Sequence, residues 1–226
     1  MKHTLVDQLD AQSAWRRTLQ HRIRALAQFV DSHGLADAAT GPALAGLQRK
    51  LSADQLVLAC VAEVSRGKSE LLNAIFFADT GRRVLPATPG RTTMCPVQLQ
   101  YDAALPCELA LLPIDTRLGA ASLAELRTQP EAWQRLRLDR DDPHSLAEAM
   151  QQVTRTRHVD TAQAAALGLW SDTQPQHNPP LLDDGRVEIP AWRHAVVNCP
   201  HPLLQRGLVV IDTPGQNAVG AEPELT

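Results

Sequence analysis

Gln55 to Phe77 reads QLVLACVAEVSRGKSELLNAIFF, and its parts come in a set order. An apolar run, Gln55 to Val61, is followed by a glycine-bearing loop and then by a helical pattern, Ser69 to Phe77. A short apolar run of this kind predicts a central parallel strand buried on both faces. Strand, loop and helix is the order that a phosphate-binding loop requires. Ala62-Glu63-Val64-Ser65-Arg66-Gly67-Lys68-Ser69 matches that loop at Gly67, Lys68 and Ser69, with Ala62 where a first glycine is usual. In such a loop, successive backbone N–H groups and the helix N-terminus surround phosphate oxygens. Lys68 would reach the β- and γ-phosphates, and the Ser69 hydroxyl would complete a magnesium shell. The alternative is an ordinary strand-to-helix turn with Lys68 solvated and Ser69 as a cap.

A second motif decides between these readings. Leu208 to Gly215, LVVIDTPG, is an apolar strand ending in D-x-x-G. In P-loop GTPases an aspartate at this place holds magnesium through water, and the glycine N–H senses the γ-phosphate. Asp212 and Gly215 take those positions. Between the motifs, Pro86 to Pro96 (PATPGRTTMCP) offers several hydroxyls to a switch loop that needs a threonine for magnesium, with Thr93 the first choice and Thr92 the second.

Outward from these motifs, Thr4 to Val30 carries apolar residues at helical spacing, ended by Gly34, and a weaker helical pattern runs from Ala43 to Leu51. Further strands are expected at Val97 to Tyr101, Cys107 to Leu112, Val187 to Ile189, Ala195 to Asn198 and Leu208 to Ile211. From Pro113 to Asp184 the pattern turns helical, around Ser122 to Leu138, Ser145 to Thr156 and Thr161 to Leu169, followed by an exposed loop over Ser171 to Pro180. The expected fold is therefore an α/β P-loop GTPase-type three-layer sandwich, incomplete at its C-terminus, with N-terminal helices and a mainly helical insertion. A helical segment would occupy 1–52 and the partial P-loop domain 53–226, with the insertion at about 113–184.

Composition narrows the classes. With 226 residues, 44% hydrophobic, the chain can bury the core of one medium domain and an extension. A formal net charge of -3 supplies no general attraction for nucleic acid, so no nucleic-acid partner is expected. No signal peptide is legible and no stretch approaches the ~18 apolar residues needed to cross a bilayer, so a soluble, cytoplasmic chain is expected. Cys60, Cys95, Cys107 and Cys199 show no C-x-x-C spacing and are read as reduced thiols, mostly packing residues. His194, Cys199 and His201 in HAVVNCPH are explained by strand alternation and a turn rather than by a metal. Arg66, Arg82, Arg83 and Arg91 are read chiefly as solvated surface.

Together, AEVSRGKSELLNAIF, LPATPGRTTMCP and LVVIDTPG resemble the bacterial branch of the dynamin superfamily of large GTPases. Asn73-Ala74 and the LP-x-TP-x-x-TT loop separate it from small Ras-like GTPases, and the N-terminal helices suit a helical bundle. The resemblance implies a GTPase with GTP as substrate, Mg2+ as cofactor and a monovalent cation held with the help of Ser65. Lys68, Ser65 and Thr93 would be catalytic, Thr93 orienting the attacking water through its backbone. Glu63, Val64, Ser65, Arg66, Gly67, Lys68, Ser69, Glu70, Gly90, Thr92, Thr93, Asp212 and Gly215 would bind nucleotide, and Ser69, Thr93 and Asp212 the metal. Val64 departs from the family's water-positioning glutamine, because valine has no hydrogen-bonding group. A T/N-K-x-D guanine-reading motif is missing after Asp212, so the chain is expected to be a partial gene product with weak or no GTPase activity. For the full-length protein the resemblance implies guanine nucleotide, a homo-dimer or oligomer and a membrane surface as partners, with peripheral placement at the inner membrane. Two alternatives stay open: a P-loop ATPase of another class, and a nucleotide-dependent switch that hydrolyses little.

Overall fold

The computed structural model describes residues 4–37, 39–52, 55–61, 67–86 and 95–213. The chain divides into two compact units, Met1–Leu56 with Pro202–Leu208, and Val57–His201 with Val209–Thr226.

The first unit is built on two helices, α1 (Leu5–Ser32) and α2 (Thr40–Ser52). Thr4 starts α1 with a capping box: its hydroxyl accepts from the Asp7 N–H at 3.2 Å, and the Asp7 carboxylate accepts from the Thr4 N–H at 2.9 Å. The helix ends as the sequence predicts. Gly34 adopts φ 64°, and Leu35 N–H donates to the Val30 carbonyl while Gly34 N–H donates to that of Asp31, the Schellman arrangement. Of the expected apolar stripe, Leu9 and Val30 are buried, whereas Leu5, Trp15, Leu26 and Phe29 are exposed. Arg206 closes onto Asp10 at 2.9 Å, tying the return segment to α1.

The second unit carries the sheet. Its elements follow in the order β1 (Leu56–Cys60), α3 (Lys68–Phe76), β2 (Val97–Gln100), β3 (Glu108–Pro113), α4 (Leu123–Leu126), β4 (Gln134–Arg137), α5 (Pro143–Gln151), β5 (Thr156–Val159), α6 (Thr161–Ala166), β6 (Val187–Pro190), β7 (Trp192–Asn198) and β8 (Leu208–Asp212). Six strands form one mixed sheet in the order β1-β8-β2-β7-β3-β4, and β5 and β6 form a separate antiparallel pair. β2 runs parallel to β7 and antiparallel to β8, and β3 is antiparallel to both β7 and β4. The interior strands are the apolar ones: Leu99, Leu109, Leu111, Ala195 and Val197 are all within 1% of complete burial. Ala110 and Leu112 pack with Leu123, Leu126 and Trp133. Ile114, Val159, Ala164, Leu167, Leu169, Val187 and Ile189 form a second cluster beneath the small β5·β6 pair.

Two expectations need correction. β1 is not central and buried: it lies at an edge of the sheet beside β8, with Leu56, Val57 and Leu58 exposed. Among the described residues no strand covers its outer side, which leaves an apolar strand without its second neighbour. The helix expected over Ser122 to Leu138 stops at Leu126, and residues 134–137 instead form β4 at the opposite edge. Charge pairing favours that strand, because Arg135 meets the buried Glu108 across the β3·β4 ladder. Between 113 and 184 the helical pieces α4, α5 and α6 are otherwise joined by 3₁₀ turns, with β5 as an additional strand.

Candidate functional site

The sheet brings the two sequence motifs together from opposite ends of the chain. β8 ends at Asp212, which pairs in register with Val97 at the start of β2. α3 begins at Lys68, directly after Gly67. There the Ser69 hydroxyl donates to Asp212 Oδ2 at 2.7 Å, in a buried hydrogen bond that spans 143 residues of sequence. One residue further on, Thr213 Oγ1 donates to the Cys60 carbonyl at 2.9 Å, joining the ends of β8 and β1.

Gly67 takes φ 81° and its carbonyl accepts the first turn of α3 from Leu71 N–H at 2.9 Å. A Cβ there would meet nothing within 4 Å among the described residues. Glycine is required by the left-handed backbone, not by lack of room.

Asp212 is almost wholly buried. Burial raises its carboxyl above the usual carboxylate range, opposed by the Ser69 hydrogen bond and by the positive charge of Lys68. Its second oxygen, Oδ1, is buried and makes no hydrogen bond among the described residues. A buried carboxylate oxygen without a partner, next to a serine hydroxyl and within the field of a lysine, is an unsatisfied arrangement in this protein alone. These are hard oxygen donors, the type that suits Mg2+ and its bound waters. The residues present therefore fit the ion that the motifs imply.

Asn73, on the inner face of α3, was not singled out as a site residue. Its Oδ1 accepts from Val84 N–H at 3.0 Å and from Leu85 N–H at 2.7 Å, and its Nδ2 donates to the Leu85 carbonyl at 2.9 Å. Asn73 thus anchors the chain where it enters the threonine-bearing loop. The signal in the sequence is one amide within the otherwise apolar run LLNAIFF. Glu70 faces outward and pairs with Arg83 at 3.0 Å.

Of the expected site residues, the structure brings Gly67, Lys68, Ser69 and Asp212 to one end of the sheet, with Glu70 on the adjoining helical turn. Glu63, Val64, Ser65, Arg66, Gly90, Thr92, Thr93 and Gly215 lie outside the described residues. The HAVVNCPH residues do not converge. His194 is fully buried edge-on to Trp133, His201 meets Phe76 in an edge-type ring contact, and Cys199 shares a hydrogen bond with Cys107. No group of three metal-ligating side chains occurs among the described residues. Nor is any helix among them long and apolar enough to cross a membrane.

The sequence model of the Dynamin family matches residues 58–225, from β1 to nearly the last residue. The chain belongs to the dynamin family. No curated protein sequence matches it. Among solved structures, it is similar to two from work on an oligomerised bacterial dynamin pair described as a mechanism for long-range sensing and tethering of membranes. Both are 12% identical over 91% of this chain, with TM-scores of 0.38 and 0.36. The chain spans about a quarter of their length, 25% of one and 24% of the other.

Proposed function

We propose that this chain carries the phosphate- and magnesium-binding part of a dynamin-like protein that binds and hydrolyses GTP. The observation that carries the reading is the Ser69–Asp212 contact of 2.7 Å, with Asp212 Oδ1 beside it unpartnered among the described residues. Family membership supports it independently.

On this reading the backbone from Glu63 to Glu70 wraps the phosphates, Gly67 allows close approach, and the Lys68 ammonium offsets charge on the β- and γ-phosphates. Ser69, through its hydroxyl, and Asp212, through water, would hold Mg2+. When bound, Mg2+ withdraws charge from the phosphate oxygens. Thr93 would serve as a metal ligand and orient the attacking water through its backbone, and Gly90 and Thr92 would also bind nucleotide. Gly215 N–H senses the γ-phosphate, and Ser65 helps hold a monovalent cation. By function we assign 1–52 to a helical segment and 53–226 to the P-loop domain with a mainly helical insertion at about 113–184, although residues 202–208 group with the helical unit. For the whole protein we infer self-association and action at a membrane surface, reached from the cytoplasm.

A second reading is favoured by Val64, which replaces a water-positioning glutamine with a side chain that cannot hydrogen-bond. In it, nucleotide binding switches the protein's contacts and hydrolysis is slow.

Fluorescent GTP and ATP analogues, titrated with Mg2+ against the full-length protein, wild type and Lys68→Ala, test the reading. Binding that favours GTP and weakens at least about tenfold in the variant supports it. Equal binding by wild type and variant refutes the phosphate site, and a preference for ATP refutes the substrate. Phosphate release in the same samples separates hydrolysis from the slow switch.

A further inference from the structure

The β3·β7 register pairs Glu108 with Asn198, so the next residues outward, Cys107 and Cys199, stand opposite each other. Their backbone groups turn away from one another. Cys199 N–H donates to the Gln100 carbonyl on β2 at 3.1 Å, and the Cys107 carbonyl accepts from Leu138 N–H, beyond β4, at 2.9 Å. That pattern makes them a non-hydrogen-bonded cross-strand pair, the closer of the two kinds, with Cα atoms about 4.5 Å apart. A disulfide spans Cα separations of about 4.4–6.8 Å, so this backbone accepts one without moving far. Both thiols are free, and they already share a hydrogen bond.

We propose that Cys107 and Cys199 are a peroxide-responsive thiol pair that closes to an intrachain disulfide. The proposal is independent of the nucleotide reading, since the pair lies at the end of β7 remote from Asp212: β2 starts opposite Asp212 and ends at Gln100, beside Cys199.

The two thiols have different parts. Cys107 is partly exposed, whereas Cys199 is buried. The Cys199 S–H donates to the Cys107 sulfur and holds the Cys107 thiol below its ordinary range, helped by the Arg140 guanidinium and opposed by burial and by Asp139. The same hydrogen bond, with burial, keeps Cys199 protonated. Cys107 is therefore the attacking thiolate. Its sulfur attacks one oxygen of a hydroperoxide, forming S–O as O–O breaks, and the departing oxygen takes a proton to leave as water or an alcohol. The Cys107 sulfur is oxidised by two electrons to a sulfenic acid and the peroxide is reduced. The Cys199 sulfur then attacks the sulfenic sulfur, S–S forms, S–O breaks, and hydroxide leaves with the Cys199 proton as water. With hydrogen peroxide, two thiols yield one disulfide and two waters.

The other cysteines lack these features. Cys95 is wholly buried, which pushes its thiol up to about 12, and burial together with Asp212 raises that of Cys60. Burial thus disfavours the thiolate at both.

The test is to expose the whole chain to hydrogen peroxide, alkylate it, digest it without reductant and map the peptides by mass spectrometry. The expected product joins the Cys107 and Cys199 peptides, is two hydrogen masses lighter than their sum, and is lost on reduction, with Cys60 and Cys95 alkylated. Recovery of Cys107 and Cys199 as alkylated thiols overturns the proposal. So does a sulfinic or sulfonic acid at Cys107 without the cross-link, or a bridge from Cys107 to another cysteine or another copy. In Cys199→Ser, dimedone should trap a sulfenic acid at Cys107 that the wild type resolves; a dimedone adduct equal in both proteins also overturns it.

Discussion

Asn73 holds Leu85 by both of its backbone groups, accepting from the N–H at 2.7 Å and donating to the carbonyl at 2.9 Å. Both residues are buried, so water cannot replace these bonds. Asn73→Ala leaves the N–H and carbonyl of Leu85 and the N–H of Val84 without the partner that Asn73 provides. Unfolding in urea should show a loss of about 2–4 kcal/mol. A loss below about 0.5 kcal/mol, the level of a surface substitution, would mean that the anchor is absent in solution.

Asp212 is held at a cost to the fold. Its carboxyl sits above the ordinary range, so the folded protein binds this proton more readily than the unfolded chain does. The sign follows: above the raised folded value the buried carboxylate destabilises the protein, and the penalty fades as pH falls through that value. Asp212→Asn keeps an acceptor for the Ser69 hydroxyl and removes the charge. Without metal or nucleotide, the variant should be as stable as the wild type at pH 7 or more so, and the gap should close in acid. Magnesium-dependent nucleotide binding should fall at least about tenfold in the same variant. Stability lost together with binding would make Asp212 a structural residue.

How much of this was legible in the sequence depends on how local each signal is. The apolar runs that became β2, β3, β6, β7 and β8 begin and end within a few residues of their expected positions, because each buries side chains whatever its neighbours are. β4 was hidden because QRLR has no apolar face; its pairing depends on Glu108, 27 residues earlier than Arg135. β1 misled for the opposite reason: LVLAC has the composition of a central strand, and composition cannot say which neighbours flank it. The Ser69–Asp212 contact was accessible only through the chemistry of the motifs, since no periodicity relates residues so far apart. The anchoring by Asn73 needed the fold, because nothing in LLNAIFF says which backbone the amide meets.

His194 supplies the acid limit of the fold. It is completely buried, neither ring nitrogen has a hydrogen-bond partner among the described residues, and burial with the charges of Arg127 and Arg193 lowers its value to about 3. The unfolded chain takes up this proton near pH 6.5. Between there and pH 3 the unfolded state binds more protons, so stability present above about pH 6.5 is lost as pH falls, at roughly 1.4 kcal/mol per pH unit from this residue. His194→Leu removes the unpaired nitrogens and should flatten that slope, measured as the urea midpoint between pH 7 and pH 5. An unchanged slope would mean that His194 is protonated in the fold or reached by water.

Val57 tests the placing of β1. The strand lies at the sheet edge with Val57 57% and Leu58 47% exposed. An apolar edge with free backbone groups invites pairing with another chain, and a lysine at such an edge opposes it. Val57→Lys should therefore reduce the concentration-dependent light scattering of this chain while changing its urea stability by no more than about 0.5 kcal/mol, as at other exposed positions. If β1 were instead enclosed on both faces, as its composition suggests, the same lysine would place a charge in the core. The cost would then be several kcal/mol, about 3 or more, and scattering would rise with the unfolded fraction. The two placements of the strand predict changes of opposite sign in one scattering experiment.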